Sequence, residues 1–145
     1  EFIRLYISLM KLRYSNDIEI KIEVPENTDG ITVPPLILIC FVENAFKHGI
    51  SSRHESFISI EVYTDESGKL LNFKCRNSCH DSKGTDELHG IGIENARKRL
   101  GLIYGAKHTL SIKKENNCKS GEDKQNNIFE IWLQIPTTQI QETQV

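Results

Sequence analysis

The sequence predicts an α+β domain of two layers, a mixed and mostly antiparallel sheet covered by helices. Three observations predict it. Stretches such as "DIEIKIEV" carry apolar residues at every second position, the pattern of a half-buried strand. Stretches such as "EFIRLYISLMKLRY" carry them three and four apart, the pattern of a helix with one apolar face. The two kinds follow each other as helix, strand, helix, strand, strand, helix, strand, strand. Strands joined by short turns pair antiparallel, and each helix must bury its apolar face on the sheet.

Residues 2–14 place Phe2, Leu5, Leu9 and Leu12 on one helical stripe, the expected packing face. In the strand that follows, Ile18, Ile20, Ile22 and Val24 face one way and charges the other. After the turn-rich "PENTDG", Pro34 and Pro35 are expected in the first turn of a helix that Gly49 terminates. "FISIEVYT" buries Ile58, Ile60 and Val62, and "KLLNFKCRN" buries Leu71, Phe73 and Cys75, with "DESGK" as the hairpin turn between them. The hydrophilic "SCHDSKGTDELH" is long for a plain connection and reads as a functional lid over residues 78–89. "GIGIENARKRLGLIYG" is a helix with Ile93, Ala96, Leu100 and Ile103 on its core face, ended by Gly105. Two strands, near 108–114 and 128–135, complete the sheet, the second burying Phe129, Ile131, Leu133 and Ile135. The charged insert between them and the polar "TTQIQETQV" have little to bury. The expected domain therefore covers 15–136, after the end of a helical linker at 1–14 and before a tail at 137–145.

Composition narrows the function. The chain has 145 residues, enough for one core, and a formal net charge of −2, so no basic field invites direct nucleic-acid binding. It opens already helical and without Met, and is read as a piece of a longer protein. Cys40, Cys75, Cys79 and Cys118 are scattered, which suits a reducing compartment. "CRNSCH" lacks the second ligand pair of a structural zinc site. His54, His80, His89 and His108 form no grouping in sequence that demands a ligand.

The informative segment is "FVENAFKHGI". At about 100° per residue, Glu43, Lys47, Asn44 and His48 span a single arc of roughly 140°, while Val42, Ala45 and Phe46 cover the rest. Earlier in the helix the same arc holds Leu36, Ile37 and Cys40. A helix apolar all round is buried, and polar groups opening near its end are costly unless they meet partners. The wedge is either the solvated end of a half-buried helix or a site combining carboxylate, amide, ammonium and imidazole. The second set suits a metal-bound phosphate, with Asn and Glu oxygens as hard donors for Mg²⁺ and Lys as a point charge. Gly90 and Gly92 precede a helix whose first N–H groups could meet an anion, although a flexible helix start would use the same glycines. A Rossmann unit is excluded: the third glycine is absent and no parallel βαβ unit is visible. Asn77 shares parity with Leu71, Phe73 and Cys75 and points into the interlayer space. Its amide either caps the strand end or meets a nucleobase edge.

Taken together, "PPLILICFVENAFKHGI" and "HGIGIENARKRLGLIYG" resemble the ATP-binding domain of sensor histidine kinases, most closely the LytS-type (YehU-type) branch. "YISLMKLRY" resembles the end of the helical segment that precedes this domain, so the likeness covers about residues 2–135. The resemblance implies the Bergerat (GHKL) fold and the cofactors ATP and Mg²⁺. Asn44 would help hold Mg²⁺, Glu43 would polarise the acceptor or reach the metal through water, and Lys47 and His48 would lie near the phosphates. Gly90 and Gly92 would let the lid hinge and the backbone meet the phosphates, with Asn95 and Arg99 at recurring positions of the following helix. Asn77 occupies the adenine position, where many relatives carry Asp followed by Asn-Gly.

The activity implied is transfer of the γ-phosphoryl group to a histidine on an upstream helical domain, then to a response regulator, often of LytTR type. None of the five histidines here matches the acceptor motif, so the chain alone is not expected to autophosphorylate. The full protein would be a homodimer with a membrane sensor region, this domain being cytoplasmic. A non-catalytic GHKL regulatory module and an anti-sigma-type serine kinase share the fold and are the alternatives.

Overall fold

A computed structural model describes residues 1–14, 18–34, 36–80, 90–115 and 127–137. Among these the elements are α1 (Phe2–Arg13), β1 (Ile18–Glu23), α2 (Ile37–Gly49), β2 (Ser56–Thr64), β3 (Leu70–Cys79), α3 (Ile91–Tyr104), a 3₁₀ turn (Gly105–Lys107), β4 (Thr109–Glu115) and β5 (Asn127–Pro136). The expected lid falls mostly on 81–89, and this part, the insert at 116–126 and the tail from 138 lie outside the described residues.

The sheet has five strands in the order β1-β2-β3-β5-β4. Pairing is antiparallel except between β1 and β2, which run parallel with Ile20 opposite Ile58. β1–α2–β2 is therefore a parallel βαβ unit, contrary to the expectation that none exists. Alternation shows that a strand is half-buried and does not report its neighbour's direction. The long connection carrying α2 is what permits the crossover. The Rossmann exclusion still stands, because this unit precedes the glycines.

One face of the sheet carries Ile58, Ile60, Leu71, Phe73, Cys75, Phe129, Ile131, Leu133 and Ile135, all buried under the helices. The other face carries no helix among the described residues and is polar: Glu130 pairs with Arg76 at 3.2 Å and Lys74 at 3.6 Å, and Gln134 donates to Asn72. α2 is the central helix and touches β2, β3, α1 and α3. Phe41 meets Phe73 of the sheet at 6.0 Å between ring centroids.

α1 packs on the stripe opposite to the expected one. Ile7 is 1% exposed, and Ile3, Tyr6, Met10 and Tyr14 lean on the core beside it. Tyr6 meets Phe46 edge-on at 6.2 Å and Tyr14 stacks on it at 5.9 Å. Phe2, Leu5, Leu9 and Leu12 face outward, between 59% and 86% exposed. Two apolar stripes compete on this helix, and the ring contacts with Phe46 select the one that contains the tyrosines.

Smaller departures have local causes. α2 begins at Ile37, after Pro34, because Leu36 takes the left-handed conformation at φ 70° and cannot lie within the helix. On α3 the fourth core residue is Tyr104, and Ile103 is 39% exposed. β3 runs on to Cys79, so Ser78 and Cys79 are buried strand residues rather than the start of the lid.

Candidate functional site

The topology brings the candidate residues to one end of the sandwich. The hydroxyl of Ser78, near the end of β3, donates to the carbonyl of Gly49, the last residue of α2, at 2.7 Å. The end of β3 and the end of α2 are thus adjacent. β4 starts opposite Gln134, which pairs with Asn72, and so starts at the other end of the sheet. α3 packs on α2 and ends just before β4, and its 14 residues span about 21 Å, about two thirds of the length of β3. Its N-terminus therefore returns to the end where α2 stops. The positive end of one helix and the negative end of another, the latter carrying Lys47 and His48 in its last turn, share that end with Asn77.

On α2 the wedge is as drawn from the sequence: Glu43 and Lys47 are exposed, Asn44 and His48 half-buried, Ala45 and Phe46 buried. The amide Nδ2 of Asn44 is fully buried and has no hydrogen-bond partner among the described residues. Burying such a donor unpaired costs roughly 1–3 kcal/mol, so the position is unfinished as it stands. Asn offers one more oxygen, a hard donor for a divalent cation, and this donor set fits Mg²⁺ carried by a phosphate. Glu43 lies on the α1 side of the wedge. The pKa of the Tyr6 phenol is raised by burial first and then by the Glu43 carboxylate.

Gly90 is the N-cap of α3 at φ −60° and receives no side-chain cap. Gly92 sits in the first turn. Neither has a positive φ, and a Cβ on either would meet nothing within 4 Å among the described residues. Backbone geometry and packing thus leave both glycines unexplained, whereas a ligand approaching the N–H groups would use the space. Asn95 is exposed in the second turn. Arg99 is exposed farther along, about 13 Å from Gly90 on the helix axis, and the structure does not bring it to the glycine end.

Asn77 is 1% exposed and projects under α2. Its Nδ2 donates to the carbonyl of Ser78 at 2.8 Å. Gly49 lies directly against it: a Cβ there would stand 2.8 Å from Asn77 Cβ. Gly49 does not end α2 through a left-handed cap, since its φ is not positive. It is glycine because Asn77 needs the room. Sequence reasoning missed this contact, and also Ser78, whose hydroxyl accepts from the Phe57 N–H at 3.0 Å while it donates to Gly49.

A second feature was not legible either. His54 and His80 stack with centroids 5.3 Å apart. The Ser56 hydroxyl, which accepts from Ser51 N–H and donates to the His54 carbonyl, lies 3.3 Å from His80 Nε2. No signal in the sequence pairs two histidines 26 positions apart. Among the described residues no group of three or more His, Cys, Asp or Glu could hold a metal. A cavity of about 270 Å³, lined by Phe2, Val33, Pro34 and Leu36 among others, lies at the opposite end of α2, away from all these residues.

No family model matches the chain. The structure is similar to a histidine kinase domain from the blue-light activated histidine kinase of Erythrobacter litoralis, with TM-score 0.60 and 12% identity over 92% of this chain and 62% of that one. It is also similar to the nucleotide-free catalytic domain of histidine kinase ThkA, with TM-score 0.58 and 19% identity over 93% of this chain and 90% of that one. The fold is that of histidine-kinase catalytic domains. By sequence, the sensor protein LytS of Bacillus cereus is 24% identical over 131 residues, 79% of this chain and 21% of that protein. The sensor histidine kinase/phosphatase LytS of Staphylococcus aureus is 25% identical over 126 residues, 76% and 21% respectively. The uncharacterized protein YwpD of Bacillus subtilis is 41% identical over 120 residues, 75% and 42%. The chain is similar in sequence to LytS sensor histidine kinases and spans about a fifth of the length of the LytS proteins it matches.

Proposed function

We propose that this chain is the ATP-binding catalytic domain of a two-component sensor histidine kinase. The observation that carries the reading is the buried, partnerless amide nitrogen of Asn44 at the end where α2 stops and α3 starts. Asn44 would hold Mg²⁺ through its oxygen and donate its free N–H to a phosphate oxygen. Lys47 and His48 would face the phosphates from the end of α2, and the open N–H groups after Gly90, with Gly92 and Asn95 beside them, would face them from α3. Arg99 would join only from farther along α3. Asn77 would meet the adenine. Bound Mg²⁺ would supply charge neutralisation on the phosphate oxygens.

In the transfer, the bond from the γ-phosphorus to the bridging oxygen breaks, a bond from it to an imidazole nitrogen forms, and ADP leaves. Glu43, exposed on the side of α2 that faces α1, would polarise the acceptor imidazole and take its proton, or reach the metal through water. This domain contributes position and electrostatics to a transition state with little covalent work for the protein.

The acceptor histidine would stand on an upstream helical domain, for which residues 1–14 are the last stretch, ahead of the ATP-binding unit at 15–136 and a tail at 137–145. The outward stripe of Phe2, Leu5, Leu9 and Leu12 has the 3-4-3 spacing of a helix-bundle seam and supports dimerisation through those helices. A response regulator, of LytTR type in this branch, would receive the phosphoryl group. The domain would be cytoplasmic in a membrane-anchored protein. No helix among the described residues is long and apolar enough to cross a membrane.

Calorimetric titration with ATP and Mg²⁺ tests the site, and mixing the chain with radiolabelled ATP and the upstream helical domain tests the transfer. Label on histidine is the expected result. ATP binding without label would make this a regulatory nucleotide-binding module instead, and no binding would end both readings.

A further inference from the structure

We infer that His54 and His80 form a binding site for a divalent transition-metal ion of the zinc type, with the Ser56 hydroxyl setting the tautomer of His80. The site stands apart from the nucleotide reading above and does not depend on it.

The fold brings the two imidazoles together from separate segments. His54 lies in the connection from α2 to β2, and His80 directly follows β3. β2 starts beside the end of β3, with Ile58 opposite Asn77. The two ring centroids stand 5.3 Å apart, with 23° between the ring planes. On one tetrahedral ion, with bonds of about 2.1 Å and ring centres about 1.1 Å behind the nitrogens, two imidazoles have centroids about 5.2 Å apart. The observed spacing thus matches two ligands of a shared ion. His54 is exposed and outside the strands, so its ring can turn a nitrogen toward that point at little cost.

Ser56 decides which nitrogen of His80 is offered. This serine is 6% exposed, and its hydroxyl lies 3.0 Å from the Ser51 amide nitrogen, 3.1 Å from the His54 carbonyl and 3.3 Å from His80 Nε2. The amide can only donate and the carbonyl can only accept, so the single hydroxyl proton goes to the carbonyl. The hydroxyl then has only a lone pair for His80, and Nε2 carries the hydrogen. In the neutral ring the lone pair is therefore on Nδ1, the atom assigned to the ion. A ligating imidazole commonly donates its other N–H to an oxygen in this way, which fixes its tautomer and orientation. Ser56 is a positioning residue. Imidazole suits zinc, copper and nickel, whereas Mg²⁺ requires oxygen ligands. Among the described residues no third His, Cys, Asp or Glu completes the set, so water fills the other positions. An ion held there clips the α2–β2 connection to the end of β3.

The test is calorimetric titration of the 145-residue chain with Zn²⁺. Saturable binding that excess Mg²⁺ does not displace is expected. His54→Gln and His80→Gln should each weaken it at least about tenfold, as loss of one of two ligands requires. His108→Gln, just ahead of β4, should leave it unchanged. Ser56→Ala should weaken it about tenfold through loss of the fixed tautomer. Near-ultraviolet circular dichroism establishes folding for each variant. His54→Gln, at an exposed position, keeps the test decisive should His80→Gln or Ser56→Ala fail to fold. Absence of saturable Zn²⁺ binding by the unaltered chain overturns the inference. Binding that persists at full strength in folded His54→Gln protein, or that falls equally in His108→Gln, overturns it too. Undiminished affinity in folded Ser56→Ala protein overturns the part given to the serine. None of these outcomes involves ATP, so failure here leaves the functional reading standing.

Discussion

Asn44 carries a buried N–H that meets no partner among the described residues. Stability and binding should therefore respond to its removal in opposite senses. Asn44→Ala deletes an unsatisfied donor, so the urea midpoint should stay level or rise, by up to about 1 kcal/mol. Mg-ATP affinity should fall below detection, at least about a hundredfold, because a metal ligand and a phosphate donor go together. A variant that loses stability and keeps its ATP affinity would make Asn44 a structural residue. Of the site residues, those on α2 were legible because an amphipathic arc can be read from spacing alone. Gly49 was legible only as a glycine. Its contact with Asn77 joins positions 28 apart, and no local pattern records it.

At the scale of elements, α1 and its seat on α2 give the clearest test. Phe46 is buried with Tyr6 and Tyr14 against its ring. Phe46→Ala should cost about 3–5 kcal/mol in urea unfolding, by lost transfer energy and the cavity left behind. Leu9→Ser, on the outward stripe, should change the stability of the monomer by less than about 0.5 kcal/mol. The sequence reading of α1 puts Leu9 on the packing face and would expect Leu9→Ser to be costly too. It failed there because leucines outrank tyrosines in hydropathy, while the tyrosines make the ring contacts. The strands fared better: Leu71, Phe73 and Cys75 of β3 and Phe129, Ile131, Leu133 and Ile135 of β5 recur at every second position, and each was placed on the buried face from sequence. The parallel pairing of β1 with β2 was hidden, since direction is a property of the connection.

Over the whole molecule, the core sets a limit on alkaline stability. Burial pushes the Cys75 thiol up from its ordinary 9.0 to about 12. A raised value favours the protonated form in the fold, so the stability it contributes is complete below pH 9.0 and is lost as pH climbs toward 12. Burial raises the phenols of Tyr6 and Tyr104 as well, which adds loss above their ordinary 10.0. The urea midpoint should fall progressively from pH 9 to pH 11, and Cys75→Val should flatten the first part of that fall. A midpoint that stays constant over the range would mean the thiol is not sealed from water. The layer architecture was legible because strand and helix periods are distinct and each amphipathic segment needs a partner. The end of the sandwich where the site forms was not, since it depends on which way three separate elements run.

The ring contacts of Tyr6 and Tyr14 with Phe46 also have a mechanical side. With one phenyl ring held between two phenols, α1 and α2 are meshed and cannot turn past one another freely. A twist applied to α1 would pass through these rings into α2, the helix that carries Glu43. The same meshing ties the orientation of α1 to the face of α2 on which the polar wedge stands.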